Sequence, residues 1–194
     1  ISNTTRPQNK YGHGPDAVPA GYKAFWDELS KRDIPFLGFR DNPWGFDKDG
    51  KPREFDECYV AKEDADGCGM RVEQVYRPYD PGAVVLSQYE NMLSLDTAPW
   101  FCDADGDCPV IIGNTMVYRD MHHITNAFVD SAMPMIREAL TPFLNGEKVQ
   151  QEAPKISPEE AKAALKESPA APTTGSPRGA NPVPYPNTPE NDPV

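Results

Sequence analysis

The sequence predicts a layered α/β domain followed by a proline-rich tail. Short apolar runs of strand length alternate with segments whose large apolar residues recur at helical spacing. Strands that read as buried, alternating with helices, form a sheet covered by helices. The composition then changes sharply near Gly146. Residues 147–194 hold ten of the 22 prolines, and Tyr185 is their only aromatic residue.

Residues 1–19 are expected to be an extended lead-in. From Pro19 to Arg32, Tyr22, Phe25, Trp26 and Leu29 share one helical face. Ile34 to Phe39 is a strand-length apolar run that ends at the turn-forming Arg40-Asp41-Asn42-Pro43. Between Val84 and Leu95, the spacing of Val85, Tyr89, Met92 and Leu93 predicts a helix. Trp100-Phe101 is expected to end a strand at the second cysteine loop. Val110 to Tyr118 reads either as strand, turn, strand or as one strand broken at Gly113. From His122 to Leu144, Ile124, Phe128, Met135, Ile136, Leu140 and Phe143 form a helical stripe, with a kink expected at Pro134. The α/β domain thus covers 20–146. The tail, 147–194, is too poor in large apolar residues to offset the entropy of ordering it. Inside it, one short helix is expected near 157–168. Ser157 caps it, Pro158 suits its first turn and Glu160 completes a capping box.

The formal net charge is −11 over 194 residues. That argues against a nucleic-acid or anionic-membrane partner, since both reward Lys/Arg clusters. No apolar run approaches the roughly 20 residues needed to span a bilayer. The chain starts at Ile1 with no signal-peptide pattern after it, so it is expected to be a processed or partial product. Cys58, Cys68, Cys102 and Cys108 do not have zinc-site spacing. Loop-closure entropy favours 58–68 and 102–108 among the three possible pairings. Such bridges place the domain outside the reducing cytoplasm. Asp103 to Asp107 has alternating carboxylates but no closing Glu, so a solvated disulfide loop is expected rather than a calcium site. No metal or cofactor is expected.

The most informative stretch is Tyr118-Arg-Asp-Met-His-His-Ile-Thr125. A carboxylate that fixes a histidine tautomer and steadies its imidazolium makes that histidine a general base for a hydroxyl. Asp120, as the last strand residue, and His123, in the first helical turn, would face the crevice beyond the strand ends. The plainer alternative is that Asp120 caps the helix and His123 lies on the surface. His122 is expected to face outward, and His13 sits in a turn-rich segment without a chemical role. Asp41-Asn42 is read as a turn in preference to an oxyanion donor. Trp44 lies in a loop where an exposed ring could stack on a carbohydrate.

The order of these features resembles the C-terminal half of the extracytoplasmic SGNH-type domain fused to membrane acyltransferase-3 proteins, over about residues 20–144. The most specific part is Cys102…Cys108-Pro109 followed by Tyr118-x-Asp120-x-x-His123-Ile124-Thr125, where the family usually has Leu at the position of Ile124. The resemblance implies an SGNH-hydrolase-like, flavodoxin-like layered parallel sheet and O-acylation of envelope sugars or glycolipid head groups. It makes His123 the base and Asp120 its orienting acid. It also implies a nucleophile in a Gly-Asp-Ser block on an upstream strand. None of Ser2, Ser30, Ser87, Ser94, Ser131, Ser157, Ser168 or Ser176 follows Gly-Asp or sits in a Gly-x-Ser-x-Gly elbow. The fold is therefore expected to lack its N-terminal half and to leave a sheet edge that the missing half or another protein chain completes. Two roles follow as expectations. One is an acyltransferase or esterase fragment carrying the Asp-x-x-His half of a Ser-His-Asp site. The other is an inactive accessory subunit docked by its 147–194 tail on the outer face of a membrane-protein assembly.

Overall fold

The computed structural model describes residues 2–8 and 15–165. His13, Ser168, Ser176 and the part of the tail from residue 166 onward lie outside the described residues. In chain order the elements are β1 (Ser2–Asn3), β2 (Arg6–Pro7), β3 (Asp16–Ala17), α1 (Tyr22–Lys31), β4 (Phe36–Phe39), α2 (Phe55–Lys62), α3 (Ala65–Cys68), β5 (Met70–Arg71), α4 (Val72–Val75), α5 (Pro81–Leu86), β6 (Met92–Leu95), α6 (Ala98–Phe101), β7 (Asp107–Cys108), β8 (Ile111–Ile112), β9 (Thr115–Met116), α7 (Asn126–Leu144) and α8 (Pro158–Leu165).

The main sheet has the strand order β1-β4-β6, and all three strands are parallel. Residues 2–3, expected to be lead-in, thus form one of its strands. Two-stranded antiparallel pairs join β2 to β3, β5 to β7 and β8 to β9. Trp26 of α1, Phe36, Leu86 and Met92 form the core between α1, α5 and the sheet. A second core gathers Phe55, Tyr118, Phe101, Phe128, Val110 and Val117 around Cys68 and Cys108. The Phe55 and Tyr118 rings stack there with centroids 4.2 Å apart.

Four expectations need correction. The helical stripe from Val84 to Leu95 is not one helix. α5 ends at Leu86, Asn91 adopts a left-handed φ of 59°, and Met92–Leu95 runs as a strand beside Phe36–Phe39. Parallel pairing with β4 outweighed an i, i+4 pattern that a buried strand can mimic over a short run. Trp100-Phe101 is the end of a one-turn helix, not of a strand, with Pro99 in its first turn. The long helix begins at Asn126 rather than His122, because the Thr125 hydroxyl accepts the Phe128 N–H as its cap. Finally, the early part of the tail is not free chain. Ile156, Ala161 and Ala164 pack on Tyr79 and Val84, and Gln150 bridges to Met92 at the edge of β6. The hairpin reading of 110–118 matches the structure, with Gly113 and Asn114 both at positive φ.

A buried polar cluster ties the strands together. Arg40, at the end of β4, makes a two-pronged ion pair with Asp16 at 2.8 and 3.1 Å. It also donates to the carbonyls of Arg77 and Tyr79 and lies 4.5 Å above the Tyr76 ring. Beside it, Ser94 of β6 donates to Asp80 at 2.6 Å and contacts the Thr4 hydroxyl at 2.9 Å. These bonds satisfy groups that would be costly to bury alone.

Candidate active site

The chain leaves the β8–β9 hairpin through buried Val117 and Tyr118 and turns sharply before α7. The turn is pinched shut by backbone bonds from Arg119 N to His123 O (3.0 Å) and from Thr125 N to Val117 O (2.8 Å). The Thr125 hydroxyl adds a bond to Met116 O at 2.6 Å. Asp120 therefore lies in a bend, neither on a strand nor in the helix, and His123 precedes the helix by three residues.

Within that bend Asp120 serves both ends of His123. Its Oδ1 accepts the backbone N–H groups of His122 (2.9 Å) and His123 (2.7 Å). Its Oδ2 lies 2.7 Å from His123 Nδ1. Desolvation alone would raise the carboxyl, but the two backbone N–H bonds and the His123 bond outweigh it and hold the group at about 2. An ionised Asp120 assigns the Nδ1 proton to His123 and leaves Nε2 with its lone pair. No described residue hydrogen-bonds that Nε2, and the His123 side chain is 53% exposed.

His122 does not face outward freely. Its ring lies between His123 (3.9 Å) and Trp44 (4.5 Å). Its carbonyl accepts the Asn42 side-chain amide at 2.7 Å, and Gly45 N donates to Met121 O at 2.7 Å. Loop 41–45 thus clamps the bend from behind. Burial, and then the neighbouring His123, lower the His122 pKa. Asn42 also bonds Pro43 O, so its amide ties loops and is no free oxyanion donor. Trp44 donates to Asp41 at 3.1 Å, and Arg6 lies 5.5 Å from its ring, so it braces the site. Burial raises the Asp41 carboxyl to about 6 against the opposing pull of Arg6 and Trp44. None of these braces was legible in the sequence beyond the turn signal at Asp41-Asn42-Pro43.

Asp120, His122 and His123 bring possible metal-ligand atoms within 4.8 Å of one another. Both Asp120 oxygens are already engaged, which suits a proton relay better than a metal cage. Four of the described serines are occupied elsewhere. Ser94 is buried with Asp80, Ser87 and Ser131 bond carbonyls one helical turn back, and Ser157 caps α8. Beside the bend opens a cleft of about 290 Å³ at the C-terminal ends of β1, β4 and β6, and Ile124 lines it.

A family model described as the SGNH domain (fused to AT3 domains) matches residues 2–138. The chain belongs to this SGNH domain family. No curated protein and no solved structure matches it. The matched span of the SGNH domain contains both cysteine pairs, the main sheet and the Asp120–His123 bend. Both pairs are bonded, Cys58–Cys68 and Cys102–Cys108, which suits an oxidising, extracytoplasmic environment. Among the described residues, no helix is long and apolar enough to cross a membrane.

Proposed function

We propose that this SGNH domain serves O-acyl transfer or ester cleavage on a cell-envelope carbohydrate or glycolipid, with His123 as general base and Asp120 as its orienting carboxylate. The observation that carries this reading is the 2.7 Å contact between Asp120 Oδ2 and His123 Nδ1, on a side chain that is 53% exposed. A tautomer fixed at Nδ1 leaves Nε2 to take a proton from the attacking hydroxyl and give it to the departing group. The hydroxyl nucleophile comes from outside the described residues. Once the acyl-enzyme has formed, His123 deprotonates the accepting sugar hydroxyl, the sugar oxygen takes the acyl group as the bond to the enzyme oxygen breaks, and His123 returns the proton to that released enzyme hydroxyl. Both carboxylate oxygens of Asp120 hold His123 in place, so orientation does not depend on a bound substrate.

The test is acyl transfer by the full-length protein. His123→Ala is expected to lower transfer by about 10²–10⁴-fold, the range for loss of a positioned acid–base group. Disulfide content and the unfolding midpoint should stay as in the wild type, since the ring is exposed. Wild-type transfer rates in a folded His123→Ala protein would end the assignment.

A further inference from the structure

The cleft beside the bend has a built asymmetry. Along α7, Phe128, Ala132 and Ile136 recur every fourth residue and form one wall. Trp100 and Phe101, from the one-turn helix α6, form the facing wall. Polar groups, Asn42 among them, gather where the parallel strands end. At the floor of the cleft the Phe101 and Phe128 rings meet with centroids 5.3 Å apart, and the stripe of the longest helix borders the opening from there to half-buried Ile136. An opening of about 290 Å³ is too small for a helix, whose diameter with side chains is ~10–12 Å. It is near the lower size of small-ligand sites. Taking ~30 Å³ for a water-sized group, it holds on the order of ten such groups. Ile124 belongs to the lining and directly follows His123, and Asn42 bonds the carbonyl of His122.

The geometry points to this cleft as an acyl-chain site, taking a saturated chain of about eight carbons with its ester or thioester carbonyl at the Asn42 end, where Asn42 bonds the carbonyl of His122. This deepens the function proposed above, on which it rests only for the identity of the molecule that carries the chain. The α7 wall, Phe128, Ala132 and Ile136, is apolar and offers no pairing for a sugar hydroxyl, so the chain, and not the glycan or glycolipid head group, lies along it. Chain length, rather than a specific polar contact, sets the affinity.

The experiment titrates octanamide and butanamide into the purified chain and follows binding by calorimetry. Octanamide is expected to bind on the order of 10²-fold tighter than butanamide, about fourfold for each added methylene. Ala132→Trp, which fills the cleft from the middle of α7, should weaken octanamide by more than tenfold. Ile136→Trp does the same from a half-buried position and stands in if the first variant fails to fold. Equal affinity for the two amides, or unchanged octanamide binding in a folded Trp variant, overturns the site. A cleft filled in life by a protein segment would show that absence of chain-length dependence. His123→Ala separates the two proposals, because octanamide binding should survive it. Chain-length-dependent binding together with full transfer in that variant would sink the base and keep the cleft. Lost transfer with no octanamide binding in the wild type would do the reverse.

Discussion

At the scale of single residues, a carboxylate with three partners in one bend does more than a cap would. Asp120 closes the turn through two backbone N–H groups and holds His123 through the third contact. Asp120→Asn is expected to keep a backbone bond and lose the fixed tautomer, so transfer should fall by about 10²–10⁴-fold while the fold persists. Steady-state rates beside a thermal melt would check both halves of that statement. Buried carboxyls elsewhere make stability depend on pH. Burial raises Asp80 and Asp41 to about 6 from 3.8. Each is less acidic folded than unfolded, so the folded state holds more protons across that window. Their contribution is complete below about pH 4 and is lost as pH rises through about 6. Asp120 has the opposite sign, and its contribution disappears as pH falls from about 4 toward about 2. Urea midpoints from pH 4 to 7 should decline less steeply in Asp80→Asn than in the wild type. An unchanged slope would show that Asp80 is ionised throughout.

At the scale of elements, the site depends on how α7 starts. Thr125 caps the helix through Phe128 N and bonds Met116 O through the same hydroxyl. Thr125→Ala should cost about 1–2 kcal/mol in chemical denaturation. It should also slow transfer, because the bend that carries Asp120 and His123 hangs from that cap. Thr125→Ser should restore most of both, and a Ser variant no better than Ala would assign the role to the methyl group instead. Gly69 shows the tolerance of the disulfide region. A Cβ there would meet the backbone carbonyl of Cys108 and the Cα of Pro109. Gly69→Ala should therefore destabilise by about 1–3 kcal/mol, read from the same denaturation curves. The cap was legible beforehand only in part. Asp120 carried the cap-like signal, but the residue that caps is Thr125, five positions later.

At the scale of the whole molecule, the chain covers an edge of its own sheet. Gln150 bridges to Met92, the Gln151 side chain accepts Ser94 N at 2.8 Å, and α8 packs Ala164 against Tyr79 and Val84. An exposed edge of parallel strands invites pairing with other chains. Ala164→Glu would bury a charge against Tyr79 and Val84 and should release α8. The expected results are a melting temperature lower by several degrees and faster aggregation on mild heating. An unchanged melt would mean that α8 adds nothing to the fold.

The sequence by itself determined the local features. Short-range chemistry set α1, β4, the Gly113-Asn114 hairpin, the nearest-neighbour disulfides and the Asp-x-x-His spacing, because each is decided by groups a few residues apart. Only the tertiary structure decided that Met92–Leu95 is a strand, since its partner Phe36–Phe39 lies more than fifty residues away. The same holds for the Trp44–His122–His123 stack, the Arg40–Asp16 pair, the cleft along α7 and the return of residues 147–165 to the sheet edge. Each joins groups distant along the chain, where burial and hydrogen-bond satisfaction outweigh local preference.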